Sequence, residues 1–221
     1  MYLAVDIGGT YVKQAIITRE GHIRKEWKMK TPTSLKQLLA SINVTLHREF
    51  TYEIKGVAVS SPGTVLENGK ITGTSAVPYI HHVNMREEIE RATGLPVTIE
   101  NDANCAALAE VWKGAAASYN DAAFIILGTG VGGALIKNRK LHKGKHLLGG
   151  EIGYTLLSID PEKRTLKQWS QVASTKAMVR LYAEKKGLLL EEVTGEDVFQ
   201  KAEEGDSTAK EVINAFFFCL G

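Results

Sequence analysis

Short apolar runs broken by glycine open the chain. Tyr2-Leu-Ala-Val5 reads as a strand, Asp6-Ile-Gly-Gly-Thr10 interrupts it, and Val12 to Thr18 reads as a second strand. Gly21 marks the turn into a third, around Ile23 to Met29. From Ser34 to Phe50 the spacing becomes helical, with Leu35, Leu38, Leu39, Ile42 and Leu46 on one face and Ser34 placed to cap it. Ile54 to Ser60 is the next strand and stops at Ser61-Pro-Gly63. Gly69 to Ser75 reads as a hairpin arm, Ala76 to Ile80 as a loop, and Asn84 to Thr93 as a helix closed by Gly94 and Pro96. The adjacent pair His81 and His82 points two ways and reads as surface or loop residues.

The next junction organises the rest. The apolar run Leu95 to Ile99 passes through Glu100, Asn101 and Asp102 into an Ala/Leu-rich helix that reaches about Lys113. A carboxylate there can cap the helix, since its oxygen can accept an otherwise unpaired N–H of the first turn. It can also serve as a base, because open α/β sheets place ligands beyond the carboxyl ends of their strands. Asp121 to Leu127 then reads as a buried strand entering Gly128-Thr-Gly-Val-Gly-Gly-Ala134, with Leu135 and Ile136 continuing as a strand and Asn138-Arg-Lys140 as a turn. This strand, Gly/Thr turn, strand pattern echoes the one at Asp6 to Thr10 and predicts two related lobes, each with a hairpin whose bare N–H groups can approach phosphate. Glu151 sits among glycines in Gly149-Gly-Glu-Ile-Gly153, where it is either a ligand-facing carboxylate or an exposed loop acid. Beyond Pro161 the pattern turns helical: Ala173 to Lys186, with Val172, Met178, Val179 and Tyr182 as a core stripe, then Gly195 to Glu204 and Ser207 to Leu220.

Composition narrows the function classes. With 27 Lys plus Arg against 25 Asp plus Glu, the chain has no general attraction for nucleic acid or a membrane surface. The cysteines, Cys105 and Cys219, form neither a CxxC pair nor a disulfide framework, which fits a reduced cytoplasmic setting. Neither a signal peptide nor a membrane-length apolar run is visible. The first glycine cluster lacks a Walker A ending and precedes no helix, so it is neither a Walker A loop nor a dinucleotide fingerprint. Read blandly it is a hairpin turn, but Asp6 needs a partner there, and a hydrated Mg²⁺ is a natural one. Val212 to Gly221 is apolar without a polar tail, which suggests that a C-terminal portion is missing.

Taken together, Asp6-Ile-Gly-Gly-Thr10, Glu100-Asn-Asp-Ala-Asn104, Gly128 to Ala134 and Gly150-Glu-Ile-Gly153 resemble the ROK family (repressor, open reading frame, kinase) in order and separation. The resemblance implies an α/β, actin-like ATPase fold: two lobes of ribonuclease H-like topology around a nucleotide and sugar cleft, here residues 1–104 and 105–221. It implies a kinase that moves the γ-phosphoryl of ATP to a hexose hydroxyl, with Asp102 as base. Asn101, Glu151, Ser61, Pro62 and Gly63 would then contact the sugar. Gly8, Gly9, Thr10 and Lys13 would form the first phosphate loop, with Asp6 near Mg²⁺. Gly128, Thr129 and Gly130 would form the second, shaped by Gly132 and Gly133. Kinases of this kind are often homodimers.

The sequence departs from the family in four places. Tyr154 stands where many members carry His, and Ser158 to Gln171 holds no cysteine, so no structural zinc is expected and Trp169 is placed to hold that loop by packing. A Glu common in the segment aligned with Ser170 to Ser174 is absent. The family's adenine-contacting segment would fall beyond residue 221. The helix-turn-helix of the repressor branch is absent ahead of the first phosphate loop. Glucose, N-acetylmannosamine, fructose and β-glucosides all remain open as acceptors. Non-catalytic sugar-binding regulation is the main rival reading and a filament or chaperone ATPase the second, although a sensor has no use for a base at Asp102.

Overall fold

In the computed structural model, residues 1–49, 51–160 and 165–220 are described. Phe50, Pro161 and Gly221, on which the expected end of the first helix, the helical turn and the chain's apolar end fall, lie outside them. Two compact units are present, 1–112 with 144–148, and 113–143 with 149–221.

The first unit contains β1 (Tyr2–Ile7), β2 (Tyr11–Ile17), β3 (Ile23–Lys30), α1 (Leu35–Arg48), β4 (Val57–Ser61), β5 (Thr64–Val65), β6 (Ile71–Thr72), α2 (Met85–Thr93), β7 (Val97–Asn101) and α3 (Asp102–Lys113). A five-stranded sheet runs in the order β3-β2-β1-β4-β7. β1, β2 and β3 pair antiparallel, while β4 lies parallel to β1 and β7 parallel to β4. Parallel neighbours need crossovers, which α1 and α2 supply. This is the arrangement expected of a ribonuclease H-like lobe. Side chains alternate along β1, so Leu3, Val5 and Ile7 enter the core while Ala4 and Asp6 take the other face. Leu38 and Ile42 of α1 and Met85 and Ile89 of α2 complete that core. Ser34 accepts a hydrogen bond from the Gln37 N–H, Asn84 accepts one from the Glu87 N–H, and Gly94 closes α2 in the left-handed region at φ 68°. The expected loop before α2 contains a short 3₁₀ helix, Pro78–His82.

The second unit contains β8 (Ala122–Leu127), β9 (Val131–Lys137), β10 (Lys140–Leu141), β11 (Leu156–Asp160), β12 (Thr165–Gln168), α4 (Trp169–Val172), α5 (Thr175–Lys186), α6 (Gly195–Glu203) and α7 (Ser207–Phe218). Met178, Val179 and Tyr182 of α5 pack with Val198, Val212 and Phe216, whereas Val172 is only half-buried. Trp169 Nε1 donates to the Cys219 carbonyl at 2.6 Å and ties the start of α4 to the end of α7.

Two expectations are corrected. β8 is not buried on both faces: Ile125 is 51% exposed and Leu127 38%, because β8 is an edge of the β10-β9-β8 sheet and packs on one face. A continuous apolar run reads the same in either setting. The chain also does not turn directly helical after Pro161, since β12 first pairs with β11 across a register shift. Among the described residues no helix is long and apolar enough to cross a membrane.

The core makes a direct prediction. Ile42 is fully buried and Val44, on the same helix, is 54% exposed. Ile42→Ala is expected to lower the unfolding free energy by about 2–5 kcal/mol in urea titrations, and Val44→Ala to stay within about 0.5 kcal/mol.

Candidate active site

Strand register assembles the polar part of the first unit. Lys28, Lys13, Asp6, Ser60 and Glu100 are successive partners across β3-β2-β1-β4-β7, so they form one row on one face of the sheet. Within it, the Ser60 hydroxyl donates to Asp6 Oδ1 at 2.8 Å. The partner that a carboxylate at the end of β1 calls for is therefore present as a side chain. Sequence reasoning missed Ser60, although alternation along β4 opposite Asp6 is the signal that could have found it. Cys105, one turn along α3 from Asp102, adjoins Ser60; burial pushes its thiol up to about 11, so it stays protonated and inert as a nucleophile.

The turn between β1 and β2 brings Gly8, Gly9 and Thr10 to the surface. The Gly8 N–H donates to the Tyr11 carbonyl at 3.0 Å, and the Thr31 hydroxyl donates to the Gly8 carbonyl at 2.6 Å. Neither glycine has positive φ; they are required by close approach, since a Cβ on Gly9 would lie 2.7 Å from Ala76 Cβ. Lys13 is exposed, directly across from Asp6.

At the β7–α3 junction the cap is Asn101, not Asp102. Asn101 Oδ1 accepts from the Asn104 N–H at 3.1 Å, three residues on, as an N-cap does. Its Nδ2 donates to the Gly63 carbonyl at 3.1 Å and to Asp102 Oδ1 at 3.0 Å. Asp102 Oδ1 also accepts from the Ala103 N–H at 2.8 Å. Asp102 is accessible to a ligand, yet the protein around it withdraws enough water to raise its pKa, and the Asp6 carboxylate raises it further. Ser61 is fully buried, and Gly63 sits at φ 92°, where a side chain would be strained.

In the second unit, Gly128, Thr129 and Gly130 join β8 to β9, with the Gly128 N–H donating to the Gly130 carbonyl at 2.9 Å. Thr129 is exposed. The Ser170 hydroxyl accepts from the Val131 N–H at 2.9 Å, and a Cβ on Gly130 would lie 2.7 Å from it. Gly150 and Gly153 lie flat on β9: a Cβ on Gly153 would collide with the Val131 carbonyl, and one on Gly133 with the Gly150 carbonyl. That packing presents Glu151, half-buried, at the start of a short 3₁₀ helix, Ile152–Tyr154. Among the described residues no group of three or more His, Cys, Asp or Glu could hold a metal ion.

The profile of the ROK family matches residues 2–221. The chain belongs to the ROK family. A curated ROK-sized relative, a β-glucoside kinase of Listeria monocytogenes, is 36% identical over 99% of this chain and 75% of its own length. A ROK family protein from Streptococcus pneumoniae, solved in complex with sucrose, is 40% identical with a TM-score of 0.83, covering 99% of this chain and 73% of that one. A ROK glucokinase from Streptomyces griseus, solved with glucose and AMPPNP, is 25% identical with a TM-score of 0.84, covering 97% and 75%. The fold is thus the actin-like ATPase fold of ROK proteins. Tyr154 is 63% exposed, and Ser170 supports the glycine loop through the Val131 N–H.

The strain at Asp102 is measurable. A group whose folded pKa is raised costs stability while ionised and regains it as pH falls through that pKa. Asp102→Asn keeps the Oδ1 acceptor and removes the repulsion with Asp6. Its Tm by calorimetry is expected to exceed the wild-type value at about pH 7, with the gap closing toward about pH 4. A lower Tm for the variant at neutral pH would contradict this account.

Proposed function

We propose that the protein is an ATP-dependent sugar kinase in which Asp102 takes the proton of the acceptor hydroxyl as that oxygen attacks the γ-phosphorus. The O–P bond to the sugar forms as the bond from the γ-phosphorus to the leaving ADP oxygen breaks. The observation that carries this reading is Asp102 itself: an accessible carboxylate, held by Asn101 and the Ala103 N–H at a strand end, and freed from capping α3. Its raised pKa, from lost solvent first, makes it a stronger base than an ordinary carboxylate.

The other roles are those the ROK resemblance implies. Asn101, Pro62 and Gly63 would contact the acceptor sugar, with the fully buried Ser61 supporting that segment from behind rather than touching the ligand, and Glu151 would hold sugar hydroxyls. Backbone N–H groups at Gly8, Gly9 and Thr10, with the Lys13 ammonium, would hold phosphate oxygens on the first unit. Gly128, Thr129 and Gly130 would do so on the second. Asp6 would hold a hydrated Mg²⁺, which supplies charge neutralisation at the phosphoryl oxygens. The mutual repulsion of Asp6 and Asp102 marks a concentration of negative charge that such an ion relieves. Most of the rate enhancement would come from positioning and charge stabilisation rather than from the base alone.

The acceptor is a hexose or hexoside; relatives named as β-glucoside kinase, glucokinase and N-acetylmannosamine kinase support β-glucosides, glucose and N-acetylmannosamine as candidates, with fructose beside them. A coupled ADP-release assay over that panel is expected to show turnover that requires sugar. Turnover without sugar would overturn the kinase reading, and sugar binding without turnover would favour a regulator. Asp102→Asn is expected to lower kcat at least about a hundredfold, with sugar binding retained in titration calorimetry. Near-normal turnover would remove Asp102 from the base role.

A further inference from the structure

His81 takes no part in the reading above, yet it is built into the wall of the same site. It lies near the end of the 3₁₀ helix Pro78–His82, half-buried, with Nε2 2.8 Å from the Ser75 hydroxyl. That hydroxyl also accepts from the Val77 N–H at 3.1 Å, so Ser75 and His81 fasten the segment to itself. Nδ1 is buried, and the Ile71 backbone is the ring's remaining polar neighbour.

The ring edge faces Gly63. A Cβ on Gly63 would lie 3.1 Å from His81 Cε1, and 2.9 Å from both Ile71 Cγ2 and the Thr72 carbonyl oxygen. Gly63 is therefore held between β6 on one side and the imidazole on another. Its carbonyl is the acceptor for Asn101 Nδ2, and the same nitrogen donates to Asp102 Oδ1. A path of neighbours thus runs from the Ser75–His81 pair past the side-chain position of Gly63 to Asn101 and Asp102.

We propose that His81 is a positioning residue: by seating Gly63 it fixes the Asn101 amide, and with it the side of Asp102 that meets the acceptor hydroxyl. Its kinetic consequence rests on the sugar-kinase reading; the contact path itself does not. Burial lowers the pKa of His81, opposed in part by the Ile71 backbone and reinforced by neighbouring His82. The imidazole is therefore neutral at neutral pH. A neutral ring fits a seat beside a backbone glycine better than a charged one, which would demand solvation.

Two readouts test this in the 221-residue chain. In ¹H–¹⁵N spectra, the Asn101 side-chain amide pair, assigned by its loss in Asn101→Asp, is expected to shift in His81→Ala and to stay in place in His82→Ala, since His82 is exposed. In steady-state assays, His81→Ala is expected to raise KM for the acceptor sugar about fivefold while KM for ATP stays within about twofold, the size set by one lost interaction of about 1 kcal/mol. His81→Gln, which can still reach Ser75, is expected to recover most of that loss. Ser75→Ala removes the partner of Nε2 without emptying the ring's place, and should shift the Asn101 amide in the same direction if His81→Ala does not fold. An unmoved Asn101 amide in both variants overturns the proposal whether or not the protein phosphorylates sugar. Equal changes in both KM values overturn it in favour of a purely structural role. Absence of any sugar-dependent turnover in the wild type counts against the kinase reading alone, and the spectra then decide the role of His81.

Discussion

The structure of the first unit depends on how Asn101 divides its side chain. Its carbonyl oxygen caps α3 and its amide nitrogen holds both Gly63 and Asp102. A helix start needs one acceptor for its unpaired N–H groups. Once Asn101 supplies it, Asp102 is released from that duty and can be aimed by its neighbours. Asp102 still accepts the Ala103 N–H, which lowers its pKa, yet lost solvent first and Asp6 among the rest raise it overall. Function and local stability therefore pull against each other at this residue, as is common where a site is pre-organised.

In the second unit the equivalent constraint is steric. Backbone lies on backbone where Gly150 and Gly153 meet β9, and no side chain fits between. This explains why glycines recur on both partners rather than only in the turn. Gly132 and Gly133 are in the strand that receives the contact, and Gly153 in the segment that makes it. Ser170 then supports the loop from below through the Val131 N–H.

Much of this was legible in the sequence. The order of elements through β7, the Ser34, Asn84 and Gly94 boundaries, and the helix from Asp102 to Lys113 follow from period and capping chemistry. So does the gathering of Asp6 and the first glycines at a strand end. What escaped has physical reasons. β11 and β12 are short and paired with a register shift, which blurs the two-residue period. The exposed face of β8 cannot be told from a buried one by hydrophobicity alone. Asn101 and Asp102 are both good caps, and which of them acts depends on the Gly63 carbonyl, brought from 38 residues away. His81 escaped for the same reason: its meaning lies in a contact with Gly63, and nothing in the pair His81-His82 records it.

The row Lys28, Lys13, Asp6, Ser60, Glu100 shows why a shared register matters more than any single residue in it. Its charges are ordered, cations on the antiparallel side and carboxylates on the parallel side, with Ser60 between Asp6 and Glu100. A hydroxyl there donates to Asp6 without adding charge. A cation in its place would lower the pKa of Asp102, and a carboxylate would raise it. In the proposed kinase, the neutral donor would leave Asp6 able to hold a cation and Asp102 able to accept a proton. Because each member is fixed by strand pairing rather than by a loop, a one-residue slip of any strand would send its member of the row to the core face. The same alternation that buries Leu3, Val5 and Ile7 therefore holds the electrostatics of the site, and the hydrophobic core of the first unit is what keeps its chemistry in place.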